Sequence, residues 1–190
     1  MQKQDEVSSL EAYRKHLDKV ASLGNHKDLL VFRGWYMRLF NPSPGSRILD
    51  LGGYVGATAL HYAEKGHEVV SVEGAKLLCD RFEQNTKHCP AITLVRSLIE
   101  DFHTDEPFDA CCCTEILNHV VDPAALLKVA YDSLRDGGEL FVTVTSEKWG
   151  LHHIEQSQLG RLVADAGFAA HTKRWTDGEH AGQFVCRGLK

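Results

Sequence analysis

At 190 residues and 21.2 kDa the chain has the size of one domain and is long enough to bury a real core. Its 21 Lys and Arg against 26 Asp and Glu leave a formal charge of −5, the wrong sign for holding a phosphate backbone by bulk electrostatics, which disfavours nucleic acid as an obligatory partner. The 43% hydrophobic and 25% charged residues exclude the composition of disorder.

The first residues are polar, with no apolar stretch behind a basic head, and no window reaches the roughly 18 apolar residues of a membrane span, so a cytoplasmic protein with no membrane partner is expected. Apolar positions at helical spacing over 7–40, interrupted at Gly24-Asn25, predict two helices, a helical cover over 1–41 ahead of a main unit over 42–190. Asn41-Pro42-Ser43-Pro44-Gly45 ends that pattern, because proline restricts the residue before it and cannot donate to a ladder. From Arg47 onward short apolar runs at 48–51, 68–72 and 92–95 alternate with helical patterns at 57–65 and 75–86. That cadence predicts parallel strands joined through helices. It continues with a strand at 108–114, a helix at 124–134 after Asp122-Pro123, a turn at Asp136-Gly137-Gly138 and a strand at 139–145. A helix at 157–165 stops at Ala166-Gly167, and strands at 170–176 and 183–187 flank the turn signal Asp177-Gly178, which predicts an antiparallel hairpin. The fold class is therefore α/β: a doubly wound, mostly parallel seven-stranded sheet ending in an antiparallel hairpin, with N-terminal helices. The six cysteines, three of them consecutive at 111–113, have neither disulfide-framework nor zinc-ligand spacing and read as small buried thiols in a reducing compartment.

The strongest local signal is Asp50-Leu51-Gly52-Gly53-Tyr54-Val55-Gly56, directly after the first strand and opening the first helix. Glycines there let the backbone turn sharply and approach a ligand, and the helix start presents free N–H groups. Glu73 ends the second strand 23 residues after Asp50, where a carboxylate can accept the hydroxyls of a ribose. Loop and acid within one βαβ unit are more specific than either alone. The glycines do not follow the G-x-G-x-x-G spacing of nicotinamide dinucleotide sites.

The segments RILDLGGYVG (47–56) and GHEVVSVE (66–73) resemble the first two motifs of class I S-adenosylmethionine-dependent methyltransferases, whose fold is Rossmann-like. The resemblance continues in the family's order through EPFD (106–109), EILNHVVDP (115–123), LRDGGEL (134–140) and LVADAGF (162–168). It implies S-adenosylmethionine as cofactor and S-adenosylhomocysteine as product. Asp50, Gly52, Gly53, Tyr54 and Gly56 then form the cofactor loop, and Glu73 with Gly74 the ribose site. Ser97 and Leu98 stand where the family holds the adenine, without the carboxylate often found there. Glu115 begins the segment bordering the methyl group. The middle glycine of D-x-G-x-G-x-G is here Tyr54, a bulky residue that resists positive φ.

Methyl transfer from a sulfonium is an in-line displacement that mainly requires a nucleophile held about 3 Å from the methyl carbon. His119 is the candidate base, four residues after Glu115 and on the same face if 116–120 forms a helical turn. Some relatives that methylate quinone-precursor phenols or RNA ends resemble this segment but carry Glu-x-x-Glu-His around a divalent ion. Here the second acid is Asn118, which argues against a metal, although His152 and His153 stand where a further ligand or the substrate mouth can lie. Arg33, with Trp35 and Tyr36, is the N-terminal candidate, its guanidinium suited to the cofactor carboxylate. The expected activity is methyl transfer to an oxygen or nitrogen of a small-molecule acceptor. An RNA- or protein-directed enzyme and a cofactor-binding subunit without turnover are the alternatives, and the sequence leaves oligomeric state open.

Overall fold

The computed structural model describes residues 36–145, 151–174 and 183–190. The two expected N-terminal helices, Arg33 and Trp35 lie outside these residues, apart from a single 3₁₀ turn at Tyr36–Leu39.

Seven strands form one sheet in the order β3-β2-β1-β4-β5-β7-β6. They are β1 Arg47–Leu51, β2 Glu68–Glu73, β3 Ile92–Arg96, β4 Phe108–Thr114, β5 Leu134–Thr145, β6 Ala169–Arg174 and β7 Gln183–Leu189. Neighbours pair in parallel from β3 across to β5, while β7 is antiparallel to both β5 and β6, slotting between them as the returning arm of the expected hairpin. The helices are α1 Ala57–Ala63, α2 Lys76–Thr86, α3 Pro123–Ser133 and α4 Gln156–Asp165. Only α1, α2 and α3 lie between the first five strands. The connection from β3 to β4 passes through a 3₁₀ turn at Ile99–Asp101, so the alternation is less regular than the sequence pattern suggests.

A central parallel strand must bury both faces, and the runs in β1 and β4 do so. Leu49, Leu51, Cys111 and Cys113 belong to a core shared with Leu126, Leu127 and Val163 of α3 and α4. Ile48, Ala110 and Cys112 belong to a second core with Phe40, Tyr62 and Phe141. The three consecutive cysteines thus alternate between faces as strand geometry requires, and all six thiols are free.

Asp122 starts α3 by accepting the N–H groups of Ala124 at 2.9 Å and Ala125 at 3.1 Å, with Pro123 in the first turn. Gly167 ends α4 at φ +107°, where an added Cβ would lie 2.8 Å from the Tyr131 ring. The expected turn at 136–138 is absorbed into β5. Pairing jumps from Phe108↔Leu134 to Ala110↔Glu139, and the extra residues bulge out, their backbone taken up by Lys190 through bonds of 2.9 and 3.1 Å.

Candidate active site

The chain runs from β1 outward through β2 to β3, then returns to lay β4 on the other side of β1. Between the carboxyl ends of β1 and β4 the direction of winding reverses, and a crevice opens there in α/β sheets of this kind. The glycine loop after β1 forms one wall and residues 115–119 after β4 the other. The walls touch: a Cβ on Gly52, which has φ +82°, would lie 2.8 Å from the Ile116 side chain.

The loop is pinned to β2. Gly52 and Gly53 both donate to the Val72 carbonyl, at 2.9 and 3.1 Å, and Gly56, at φ +90°, begins α1. Tyr54 holds the left-handed conformation, φ +53°, in spite of its bulk. Its ring is buried with Val55, Ala75 and Leu78 rather than displaced into solvent. Its N–H donates to Glu73 Oε2 at 3.0 Å, while Ala75 N–H donates to Oε1 at 2.9 Å. The Glu73 carboxylate, buried at the end of β2, therefore holds both the loop and the start of α2. Asp50 is fully buried and accepts from Ser71 Oγ at 2.9 Å. Burial, reinforced by the Glu73 charge, pushes the nearby Cys79 thiol up to about 11, and its Sγ contacts the Glu73 carbonyl at 3.2 Å.

Gly74, Ser97 and Leu98 converge beside this acid. Ser97 donates its N–H to the Glu73 carbonyl at 3.1 Å, and a Cβ on Gly74 would lie 2.9 Å from Leu98 Cδ2. Ser97 Oγ turns back to the Leu98 carbonyl, while the Leu98 side chain is among the few large apolar groups left exposed. The glycine loop, Glu73, Gly74, Ser97 and Leu98 thus form a continuous rim. A carboxylate fixed at a strand end, next to an exposed apolar side chain, suits a ribose and an adenine.

Across the crevice, Glu115 has φ +55°, and its N–H donates to the Thr143 carbonyl at 3.0 Å. Tyr54 and Glu115 are the only non-glycine residues with positive φ among the described residues, one on each wall. Such strain collects at functional sites. His119 is buried in a short turn closed by its own N–H to the Ile116 carbonyl at 2.8 Å. With Glu115 left-handed, the segment is a 3₁₀-like turn and not the helical turn over 116–120 that would put Glu115 and His119 on one helix face. His152 Nε2 lies 3.0 Å from the carbonyls of both Val120 and Val121, which makes it a clamp on the turn. His153 lines a separate cavity of about 610 Å³ with Gln156, Ser157, Thr172 and Arg174. Among the described residues no group of three His, Cys, Asp or Glu is placed to hold a metal ion. Asn118, read in the sequence only as a missing acid, is almost fully buried in this wall; its burial is a tertiary fact with no local signal.

A winding reversal flanked by a glycine loop and a strand-end acid defines a class I, Rossmann-like nucleotide-cofactor fold. Residues 25–186 match the methyltransferase domain family model, and the chain belongs to that family, the S-adenosylmethionine-dependent methyltransferases. It is 30% identical over 127 residues to the ubiquinone biosynthesis O-methyltransferase of Xanthomonas campestris pv. campestris (strain B100), covering 63% of this chain and 53% of that protein. It is 30% identical over 105 residues to the tRNA 5-carboxymethoxyuridine methyltransferase of Escherichia coli (strain K12), covering 50% of this chain and 38% of that protein. The chain thus spans about half the length, or less, of these curated relatives. Among solved structures it is similar to a chain of the complex between the Haloferax volcanii Trm112 methyltransferase activator and a methyltransferase, with TM-score 0.78, 15% identity and coverage of 92% of this chain and 97% of that one. It is also similar to an S-adenosylmethionine-dependent methyltransferase from Mesorhizobium loti, with TM-score 0.69, 16% identity and coverage of 81% and 95%.

Proposed function

We propose that this chain transfers the methyl group of S-adenosylmethionine to an oxygen or nitrogen of a small-molecule acceptor. The observation that carries the cofactor assignment is Glu73, locked by the Tyr54 and Ala75 N–H groups at the mouth of the reversal between β1 and β4. A carboxylate in that position would accept the ribose hydroxyls. The loop from Asp50 to Gly56 would hold the methionine portion, and Gly74, Ser97 and Leu98 would border the adenine. When bound, the cofactor supplies an electrophilic methyl on a positively charged sulfur. The wall formed by Glu115 and His119 would face that group and position the acceptor.

In the displacement the acceptor atom bonds to the methyl carbon as the carbon–sulfur bond breaks, the electron pair staying on sulfur. The acceptor proton must leave, and His119 is the proposed base for a hydroxyl, which gains more from proton removal than a neutral amine does. The formal charge of −5 and the similarity to a quinone-pathway O-methyltransferase support a small acceptor. The shorter match to a tRNA methyltransferase keeps RNA as the second reading. Six free thiols support a reducing, cytoplasmic setting.

Incubation with methyl-tritiated S-adenosylmethionine and either small hydroxylated aromatics or bulk tRNA separates the two. Label on the small acceptors that is insensitive to salt is expected. Label on tRNA alone, falling steeply as salt rises, would replace this reading with the RNA one.

A further inference from the structure

Asn118 is 1% exposed, yet among the described residues neither Oδ1 nor Nδ2 of its carboxamide has a hydrogen-bond partner. Its backbone, by contrast, is fixed: the carbonyl accepts from Leu151 N–H at 2.6 Å and His152 N–H at 3.2 Å. The turn that carries it is clamped again by His152 on Val120 and Val121. The side chain is therefore held in the wall of the crevice by main-chain bonds, with none of its own. Thr114, 2% exposed at the end of β4, likewise has no partner for its Oγ1 among the described residues. These two polar groups bracket Glu115 with its positive φ, and Ile116, between Glu115 and Asn118, abuts the glycine loop at Gly52. A buried amide with donor and acceptor both unmet destabilises the folded chain and calls for a specific reason.

We propose that Asn118 is the acceptor-recognition residue of this site, Nδ2 donating to and Oδ1 accepting from a neutral hydroxyl beside the one that is methylated. This deepens the small-acceptor reading above and rests on it. The chemistry follows from what the carboxamide has left unmet. A carboxylate or phosphate on the acceptor would satisfy Nδ2 but face Oδ1 with another acceptor. An ammonium would satisfy Oδ1 and present no lone pair to Nδ2. A hydroxyl offers both a proton and a lone pair. A site built to bond a hydroxyl also rejects the analogue that lacks it, because its own buried polar atoms are then left unmet.

The test compares the wild-type chain with Asn118→Leu and Asn118→Asp, using catechol, phenol and aniline as probes with tritiated S-adenosylmethionine. The wild type should label catechol in preference to phenol and aniline. Asn118→Leu, near in volume and without polar atoms, should keep or raise the melting temperature and retain the thermal shift with S-adenosylhomocysteine. Its KM for catechol should rise at least about tenfold, the scale of one or two lost hydrogen bonds. Asn118→Asp keeps an acceptor but loses the donor, and its catechol KM should rise too. An unchanged KM in either variant would overturn the assignment. So would a marked fall in melting temperature with Asn118→Leu, which would mean that the amide supports the fold. Absence of label on every probe in the wild type would instead defeat the small-acceptor reading.

Discussion

Tyr54 shows how a single side chain adapts this loop. The left-handed region costs a non-glycine residue about 1–2 kcal/mol, and two features of the structure offset that cost: the N–H bond to Glu73 and the burial of the ring with Val55, Ala75 and Leu78. Removing a buried aromatic costs about 3–5 kcal/mol, more than the strain it relieves. Tyr54→Gly, which restores the family's glycine, should therefore lower stability by roughly 2 kcal/mol in urea unfolding. A gain would mean that the ring contributes no packing. The sequence marked Tyr54 as the departure from the family pattern and Glu73 as the acid, because both depend on position within one βαβ unit. It gave no sign that Glu73 ties the loop down through the backbone of Tyr54, nor that Asn118 is buried with its amide unmet. Those facts come from elements far apart in the chain.

Asp109 links three strands. Its Oδ2 accepts from the Arg47 N–H of β1 at 2.8 Å and its Oδ1 from Arg135 Nε of β5 at 2.7 Å, across the register jump where β5 bulges. The Arg135 bond first, then the Arg47 N–H, holds the Asp109 carboxyl below the usual range. A carboxylate lowered on folding stabilises above its unfolded pKa, about 3.9, and loses that contribution as pH falls through the lower folded value. Asp109→Ala should cost about 1 kcal/mol at neutral pH, given its partial exposure. The gap between the two proteins should close as pH drops below about 4; a gap that persisted in acid would mean that the charge is not the cause. The bulge also explains why the start of β5 was not readable. Asp136-Gly137-Gly138 has the composition of a turn, and only pairing with Phe108 and Lys190 makes it part of a strand. By contrast, Asp122-Pro123 marks the start of α3 by local capping chemistry alone, and there sequence and structure agree to one residue.

Over the whole molecule, burial decides which thiols can react. Cys111 and Cys112 are pushed well above the ordinary thiol range by burial, Cys186 to about 11 by the same cause, and Cys113 is fully enclosed. Cys89 is the only one of the six with partial exposure. Brief iodoacetamide treatment of the native chain should add a single adduct, mapped to Cys89 by mass spectrometry; rapid labelling at 111–113 would contradict the packing of β4. The parallel sheet and its closing hairpin were legible because two hydrophobic periods, strand and helix, alternate along the chain. The place of β7 between β5 and β6 was not, since adjacency in a hairpin leaves open which arm meets the sheet. The central claim is that the crevice between β1 and β4 holds S-adenosylmethionine. It is tested most directly by thermal unfolding with saturating S-adenosylmethionine, S-adenosylhomocysteine and NAD. A ligand at about 100 times its dissociation constant stabilises the fold by about 2.7 kcal/mol, so a clear rise in melting temperature with the two adenosyl ligands and none with NAD is predicted; no rise with either adenosyl ligand, or an equal rise with NAD, would contradict it.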